Sequence, residues 1–175
     1  MSLTTFPTSQ QSICEIRVAA ADHKGARFMA CLLADVGQLQ GLLPLSIHSD
    51  AQEEEGKPVG PPCITIRFAG DRADPMEILA VLDDGLKKKP ERGLVLVNSR
   101  KAQPESGLKS LDADGIASSL GVPPYLPMLG GVARLAGWSD LNQVKSAVGM
   151  ALQGAAPQWL APGLQAVEAG YNSVA

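Results

Sequence analysis

Apolar and polar residues alternate through Ile13-Cys-Glu-Ile-Arg-Val-Ala19, which is the period of a strand with one face buried. The period changes over residues 26–39. There Phe28, Met29, Leu32, Leu33 and Val36 recur at helical spacing. Between the two segments, Ala20-Ala-Asp-His-Lys-Gly25 reads as a short loop. Strand, loop and helix in this order open an α/β domain. Residues 42–47 predict a second, short strand. The polar, acidic, Gly- and Pro-rich stretch 48–62 predicts a long exposed loop. Cys63-Ile-Thr-Ile-Arg-Phe68 alternates again and predicts a strand, with a turn over 71–75. Ile78-Leu-Ala-Val-Leu82 is too short to type by period alone. It is read as a buried strand leading into a turn at 83–89.

Gly93-Leu-Val-Leu-Val-Asn98 is a continuous apolar run between a glycine and a polar end, the mark of a strand buried on both faces. Residues 99–109 read as loop. Asp112 or Asp114 can cap a helix running to about residue 120, stopped by Gly121-Val-Pro-Pro124. A helix over 128–135 ends at Gly137. Ser139 is placed to cap a further helix through 151. The last helix covers 157–170, with Pro162 as a kink or a late start. The predicted fold is α/β, a three-layer α/β/α sandwich around a central mixed sheet. Residues 1–12 are expected to form a flexible or partner-bound arm, and 13–175 a single domain.

The bulk numbers narrow the function. A chain of 175 residues buries one sizeable core. The net charge of −3 gives no electrostatic basis for binding nucleic acid or an anionic membrane, and 4% aromatic residues supply no stacking platform. No apolar run reaches the roughly 20 residues that span a bilayer. The first twelve residues have neither a basic start nor an apolar stretch of signal-peptide length, so the expected location is the cytoplasm. Cys14, Cys31 and Cys63 are scattered and read as buried thiols. They form no Cys-x-x-Cys, so this chain alone assembles neither an iron–sulfur cluster nor a zinc ribbon.

Few side chains suggest chemistry. Asp22, His23 and Lys24 are an acid–base trio by type, but three adjacent residues do not easily converge on one atom. They read as a solvated or partner-facing loop, with substrate or coenzyme contact as the sharper alternative. His48 reads as the end of a strand rather than a metal ligand. Ser46 and Ser99 lack the setting of a nucleophile. Glu53-Glu54-Glu55 and Lys87-Lys88-Lys89 read as solvated surface, the latter with the option of a basic patch for an acidic carrier protein. Trp138 and Trp159 are core residues or interface anchors.

Several of these segments, in this order, resemble one family. Residues 78–83 look like a strand ending in Asp, and 93–99 like a "G-x-L-I-V-N-S" strand. Leu111-Asp-Ala-Asp-Gly-Ile-Ala117 looks like "V-D-A-x-x-I-A". Met128-Leu-Gly130 with Ala133 and Gly137 resembles "M-L-G-A-x-A-x-x-x-G", and Glu168-Ala-Gly-Tyr171 resembles "x-A-G-Y". Together with the opening strand, loop and helix, these are similar to the gamma subunit of the 2-oxoacid:acceptor oxidoreductases, such as pyruvate:ferredoxin oxidoreductase. The match covers most of residues 13–171.

That resemblance implies a subunit that is not catalytic alone. Its complex would cleave a 2-oxoacid oxidatively, normally to an acyl-coenzyme A, and pass electrons to ferredoxin or another acceptor. Thiamine diphosphate and iron–sulfur clusters are expected in partner subunits, and no cofactor in this chain by itself. Coenzyme A contact at the subunit interface would fall to two loops. One is the family's "G-R-G-G-Q-G" loop, matched here by Ala20, Ala21, Asp22, His23, Lys24 and Gly25 with only the last glycine kept. The other matches Asp50 to Pro58, where Gly56 fits and Lys57 replaces the expected basic residue. Side chains in the first loop crowd a phosphate, and three glutamates in the second repel one. The alternative implied by these changes is a non-catalytic scaffold subunit that retains the fold. A free-standing nucleotide-binding domain is disfavoured, because no glycine fingerprint follows the first strand.

Overall fold

β1 (Ser12–Ala19) buries Cys14, Ile16 and Val18 toward one side of a sheet, as its alternation requires. The computed structural model describes residues 12–50, 53–54, 57–58, 63–70, 76–82, 93–101, 106–138 and 140–174. α1 (His23–Leu39) follows β1, and then β2 (Leu43–Asp50). β3 (Glu53–Glu54) and β4 (Lys57–Pro58) form a small antiparallel pair of their own. β5 (Cys63–Gly70), β6 (Met76–Val81), β7 (Leu94–Asn98) and β8 (Leu108–Leu111) complete the strands. The helices α2 (Ala113–Leu120), α3 (Tyr125–Leu135), α4 (Leu141–Ala155) and α5 (Leu160–Ser173) then follow, with a 3₁₀ turn (Pro157–Trp159) before α5.

The main sheet has the order β2-β5-β1-β6-β7-β8. β5 lies antiparallel between β2 and β1, whereas β1, β6, β7 and β8 run parallel, so the sheet is mixed as expected. All five helices contribute to one apolar cluster with Ile16, Ile66, Ile78 and Leu96 of the sheet. The opposite face buries a second, smaller cluster of Val81, Val95, Val97 and Leu108. Burial on both faces explains why β7 reads as a continuous apolar run rather than an alternating one.

Several boundaries differ from the sequence reading, each for a local reason. α1 starts at His23, not at residue 26, because the Asp22 carboxylate accepts a hydrogen bond from the Lys24 N–H at 3.1 Å and so caps the helix. Lys24 and Gly25 are therefore helical rather than loop residues. β2 runs on to Asp50, so His48 lies within a strand. β8 occupies part of the expected 99–109 loop. Its four residues alternate too briefly to show a period. α3 begins at Tyr125, three residues early. Pro127 sits in its first turn, where the N–H it lacks has no helical partner anyway. The same holds for Pro162 in α5, which is neither kink nor start. Asp140 caps α4, accepting from the N–H groups of Asn142 and Gln143 at 3.0 and 3.2 Å; Ser139 lies outside the described residues. Cys31 is exposed on α1, against the expectation of burial, while Cys14 is buried and Cys63 half-buried. Ser12 already belongs to β1, and the rest of the expected arm, with the 71–75 and 83–89 turns, lies outside the described residues.

The motif glycines have a packing role. A Cβ on Gly130 would overlap the backbone oxygen of Val167, and one on Gly170 would overlap the backbone oxygen of Pro127. α3 and α5 therefore touch backbone to backbone at two glycines. Tyr171, beside Gly170, donates its hydroxyl hydrogen to the Trp138 carbonyl at 2.8 Å, and Arg134 lies 5.3 Å over its ring. Trp138 is fully buried and meets Phe68 of β5 edge to face.

On the sheet face opposite the helices, the Glu15 carboxylate accepts from Arg17 Nε at 2.7 Å and from Arg67 Nε at 2.8 Å. Burial by itself raises the Glu15 pKa. The hydrogen bonds and charges of the two arginines outweigh it, so the carboxyl lies below its ordinary value.

Gly130→Ala and Gly170→Ala should each destabilise the protein by about 3 kcal/mol, the upper end of the overpacking range, because backbone cannot give way. Gly154→Ala in α4, where a methyl meets nothing, should be neutral or stabilising. Urea midpoints check both. The Glu15 contribution has a defined sign. The folded pKa is depressed, so this stability is present above the unfolded carboxyl pKa and lost as pH falls through the folded value. Glu15→Gln should flatten that acid limb in melting temperature measured against pH.

Candidate functional site

β1 and β6 are adjacent and parallel, and their carboxyl ends pair at Ala19 and Val81. After β1 the chain moves through α1 to β2 on one side of the sheet order. After β6 it moves to β7 and β8 on the other. Such a reversal leaves a crevice at the strand ends, the usual ligand position in open α/β sheets. A cavity of about 220 Å³ opens there. Its apolar walls are Ala20, Leu82, Pro123 and Pro124. Its polar lining comes from Asp22, Asp114 and Tyr125, with Gly25 between them.

Two helices start at this cavity, and both begin with the same four-residue device. Asp22-His-Lys-Gly25 opens α1 and Asp112-Ala-Asp-Gly115 opens α2. In each, the aspartate caps the helix and the glycine leaves room for its carboxylate. A Cβ on Gly25 would lie 2.6 Å from Asp22 Oδ2, and one on Gly115 would overlap Asp112 Oδ2. Asp112 Oδ1 accepts from the Gly115 N–H at 2.9 Å and from Arg100 Nε at 3.3 Å. The positive end of each helix dipole is therefore answered by the chain's own carboxylate. An external anion at α1 would meet Asp22 already in place.

Asn98, buried at the end of β7, joins these parts. Its Nδ2 donates to the Leu82 carbonyl and to Asp114 Oδ1, both at 2.9 Å, and its Oδ1 accepts from the Asp114 N–H at 3.2 Å. Tyr125 starts α3 and is only 9% exposed. Its ring packs edge to face on Phe28 of α1, centroids 5.5 Å apart. Burial, and then the Asp22 charge, push the Tyr125 hydroxyl pKa up. Among the described residues that hydroxyl makes no hydrogen bond.

The structure divides the residues that sequence reasoning selected. Asp22 and Gly25 line the cavity. His23 and Lys24 are exposed on the first turn of α1 and do not line it. Lys57 lies in β4, with its backbone paired to Glu54, and Gly56 lies outside the described residues. Sequence reasoning missed Asp114 as a lining residue, Asn98 as the connector and Tyr125 altogether. The repeated Asp-x-x-Gly was the available signal for the first. Tyr125 had none, because Gly25 and Phe28 reach it only through the fold. Among the described residues no three His, Cys, Asp or Glu side chains are grouped to hold a metal ion, and no helix is long and apolar enough to cross a membrane.

No protein-family profile matches the chain, and no curated protein matches it in sequence. Solved structures do match. The pyruvate oxidoreductase subunit PORC of Thermotoga maritima superposes with a TM-score of 0.71 at 22% identity, over 94% of this chain and 98% of that one. The gamma subunit of a keto/oxoacid ferredoxin oxidoreductase from Geobacter sulfurreducens gives a TM-score of 0.66 at 15% identity, over 93% and 98%. The chain has the fold of these oxidoreductase subunits. The likeness extends over nearly the full length of the chains compared.

The capping role of Asp22 separates charge from geometry. Asp22→Ala should cost about 1 kcal/mol of stability by loss of the cap, whereas Asp22→Asn should retain most of it. Thermal unfolding of the two variants beside the parent checks this.

Proposed function

We propose that this chain is the gamma subunit of a multi-subunit 2-oxoacid:acceptor oxidoreductase. The complex would cleave a 2-oxoacid oxidatively, normally to an acyl-coenzyme A, and pass electrons to ferredoxin or another acceptor in the cytoplasm. The observation that carries this reading is the near full-length likeness to two such subunits. The family-like segments support it, since they fall at the joints of the fold. Gly130 and Gly170 form the α3–α5 contact, and Asn98 and Asp114 tie strand ends to a helix start. The subunit then completes the architecture around an active site whose thiamine diphosphate and iron–sulfur clusters are held by partner chains.

Coenzyme A contact is narrower than the family pattern implies. The α1 terminus carries Asp22 where a phosphate would bind, so its residues do not suit that group there. Exposed Lys24 is the cation left on that turn for an interface contact. The same observation favours a second reading, a scaffold subunit that keeps the fold and assembly surface but touches no substrate.

Purification from native cells should bring the chain down with thiamine- and iron–sulfur-containing partners. A stable monomer without them would overturn the assignment. In the reconstituted complex, Lys24→Ala should raise the KM for coenzyme A if the contact persists, and leave it unchanged if the subunit is a scaffold.

A further inference from the structure

We infer that the free edge of β2 is a docking strand for a second copy of this chain, paired antiparallel about a two-fold axis at Ile47. A contact between copies goes beyond the complex proposed above and does not require it. Three features lead to it: the place of the exposed aliphatic side chains, the open backbone of one sheet edge, and the charge that this edge lacks.

β2 is an outer strand of the main sheet, and among the described residues it pairs only with β5. On its outer side no described strand takes its backbone N–H and C=O groups, the usual condition for pairing with another chain. Residues that stand directly opposite across a ladder share a face of the sheet. Ile47 stands opposite the buried Ile66, on the helix side, where α1 packs against β2 and ends at Leu39. Leu43 stands opposite Ala69, and Ala69 opposite Ile13, on the other side. Leu45 lies at the bulge between Pro44 and Ser46. Leu39, Leu43, Leu45, Ile47 and Ile13 are each between 44% and 58% exposed. Together they present ~450 Å² of apolar surface at one edge, within the range of patches that mark interaction sites.

Charge, length and area select the occupant. The opposite edge, β8, has four residues and carries Lys109, and both shortness and a lysine discourage edge pairing. β2 has eight residues, with no Lys, Arg, Asp or Glu before Asp50. A strand lying antiparallel to its own copy brings like residues together at the axis, so a charge there would repel itself. β2 has none to repel. Pro44 has no N–H to donate, and the bulge shifts the register beside it, so pairing starts after Pro44. The uncharged run that remains is Leu45 to Ser49, and its midpoint is Ile47. About that axis Leu45 faces Ser49 of the other copy, Ser46 faces His48, and Ile47 faces its own equivalent beside both α1 helices. A stable interface takes about 800 Å² from each partner, roughly three-fifths of it apolar. The five aliphatic side chains supply nearly all of that apolar share.

Sedimentation velocity of the full chain over about a hundredfold range of concentration reads the association. A reversible dimer is expected, with a dissociation constant of about micromolar order. Leu45→Lys and Ile47→Lys each place a charge beside its own copy, and each should weaken the dimer by at least about tenfold. Both side chains are exposed, so unfolding midpoints of the dilute monomers should stay close to the parent's. The register has its own test. Across a ladder, opposed Cα atoms lie about 4.5–5.5 Å apart, within disulfide reach. Ile47→Cys, made with Cys31→Ser because Cys31 is itself exposed, should link two copies under mild oxidation. Leu43→Cys in the same background lies off the axis and should not. A monomer at every concentration, a dimer indifferent to both lysines, or linkage at 43 in place of 47 would each overturn the pairing. Hydrogen exchange at the amides of residues 45–49 identifies any other occupant. Protection that appears only when other subunits are added to a monomeric chain would overturn the second copy and assign the edge to a strand of the partner.

Discussion

The backbone contact between α3 and α5 holds the helical side of the molecule together. It exists because Gly130 and Gly170 bring no side chain to the crossing, so each meets a carbonyl of the opposite helix. From this contact a chain of directional interactions runs to the sheet. Tyr171 fixes the Trp138 carbonyl, and Trp138 packs on Phe68, which belongs to the strand between β1 and β2. The crossing also sets the position of α3, and α3 carries Tyr125 at its first turn. The wall of the cavity therefore depends on two glycines that do not line it.

The cavity itself is an electrostatic inversion of what its position suggests. Strand ends at a reversal of sheet order, with two helix N-termini beside them, commonly receive phosphates. Here both termini are capped from within, and a third carboxylate is added by Asp114. In both caps the glycine three residues on leaves room for the carboxylate, so Gly25 is accounted for by Asp22 without a ligand. Helix termini answered in this way do not favour an anion at this point.

Much of the fold was legible because burial imposes period. β1 and β5 alternate, β7 is continuously apolar because both its faces are covered, and α1 repeats at helical spacing. The errors fell where period is weakest. β8 is four residues long, and the starts of α1, α3 and α5 hinge on caps and prolines whose cost depends on their place in the first turn. Of the candidate site, Asp22 and Gly25 were legible, but as a degenerate glycine loop rather than as a cap and the space it needs. Tyr125 and Asn98 were not, since what they do depends on partners distant in sequence.

The sequence by itself determined the secondary-structure order, the mixed α/β class and the small-residue segments that allow close helix crossing. These follow from local propensity and from which positions must be dry. Only the tertiary structure decided that Asp22, Asp114 and Tyr125 share one cavity and that Lys24 lies outside it. The sign of the charge a site accepts depends on which side chains converge, and convergence is set by packing between distant elements.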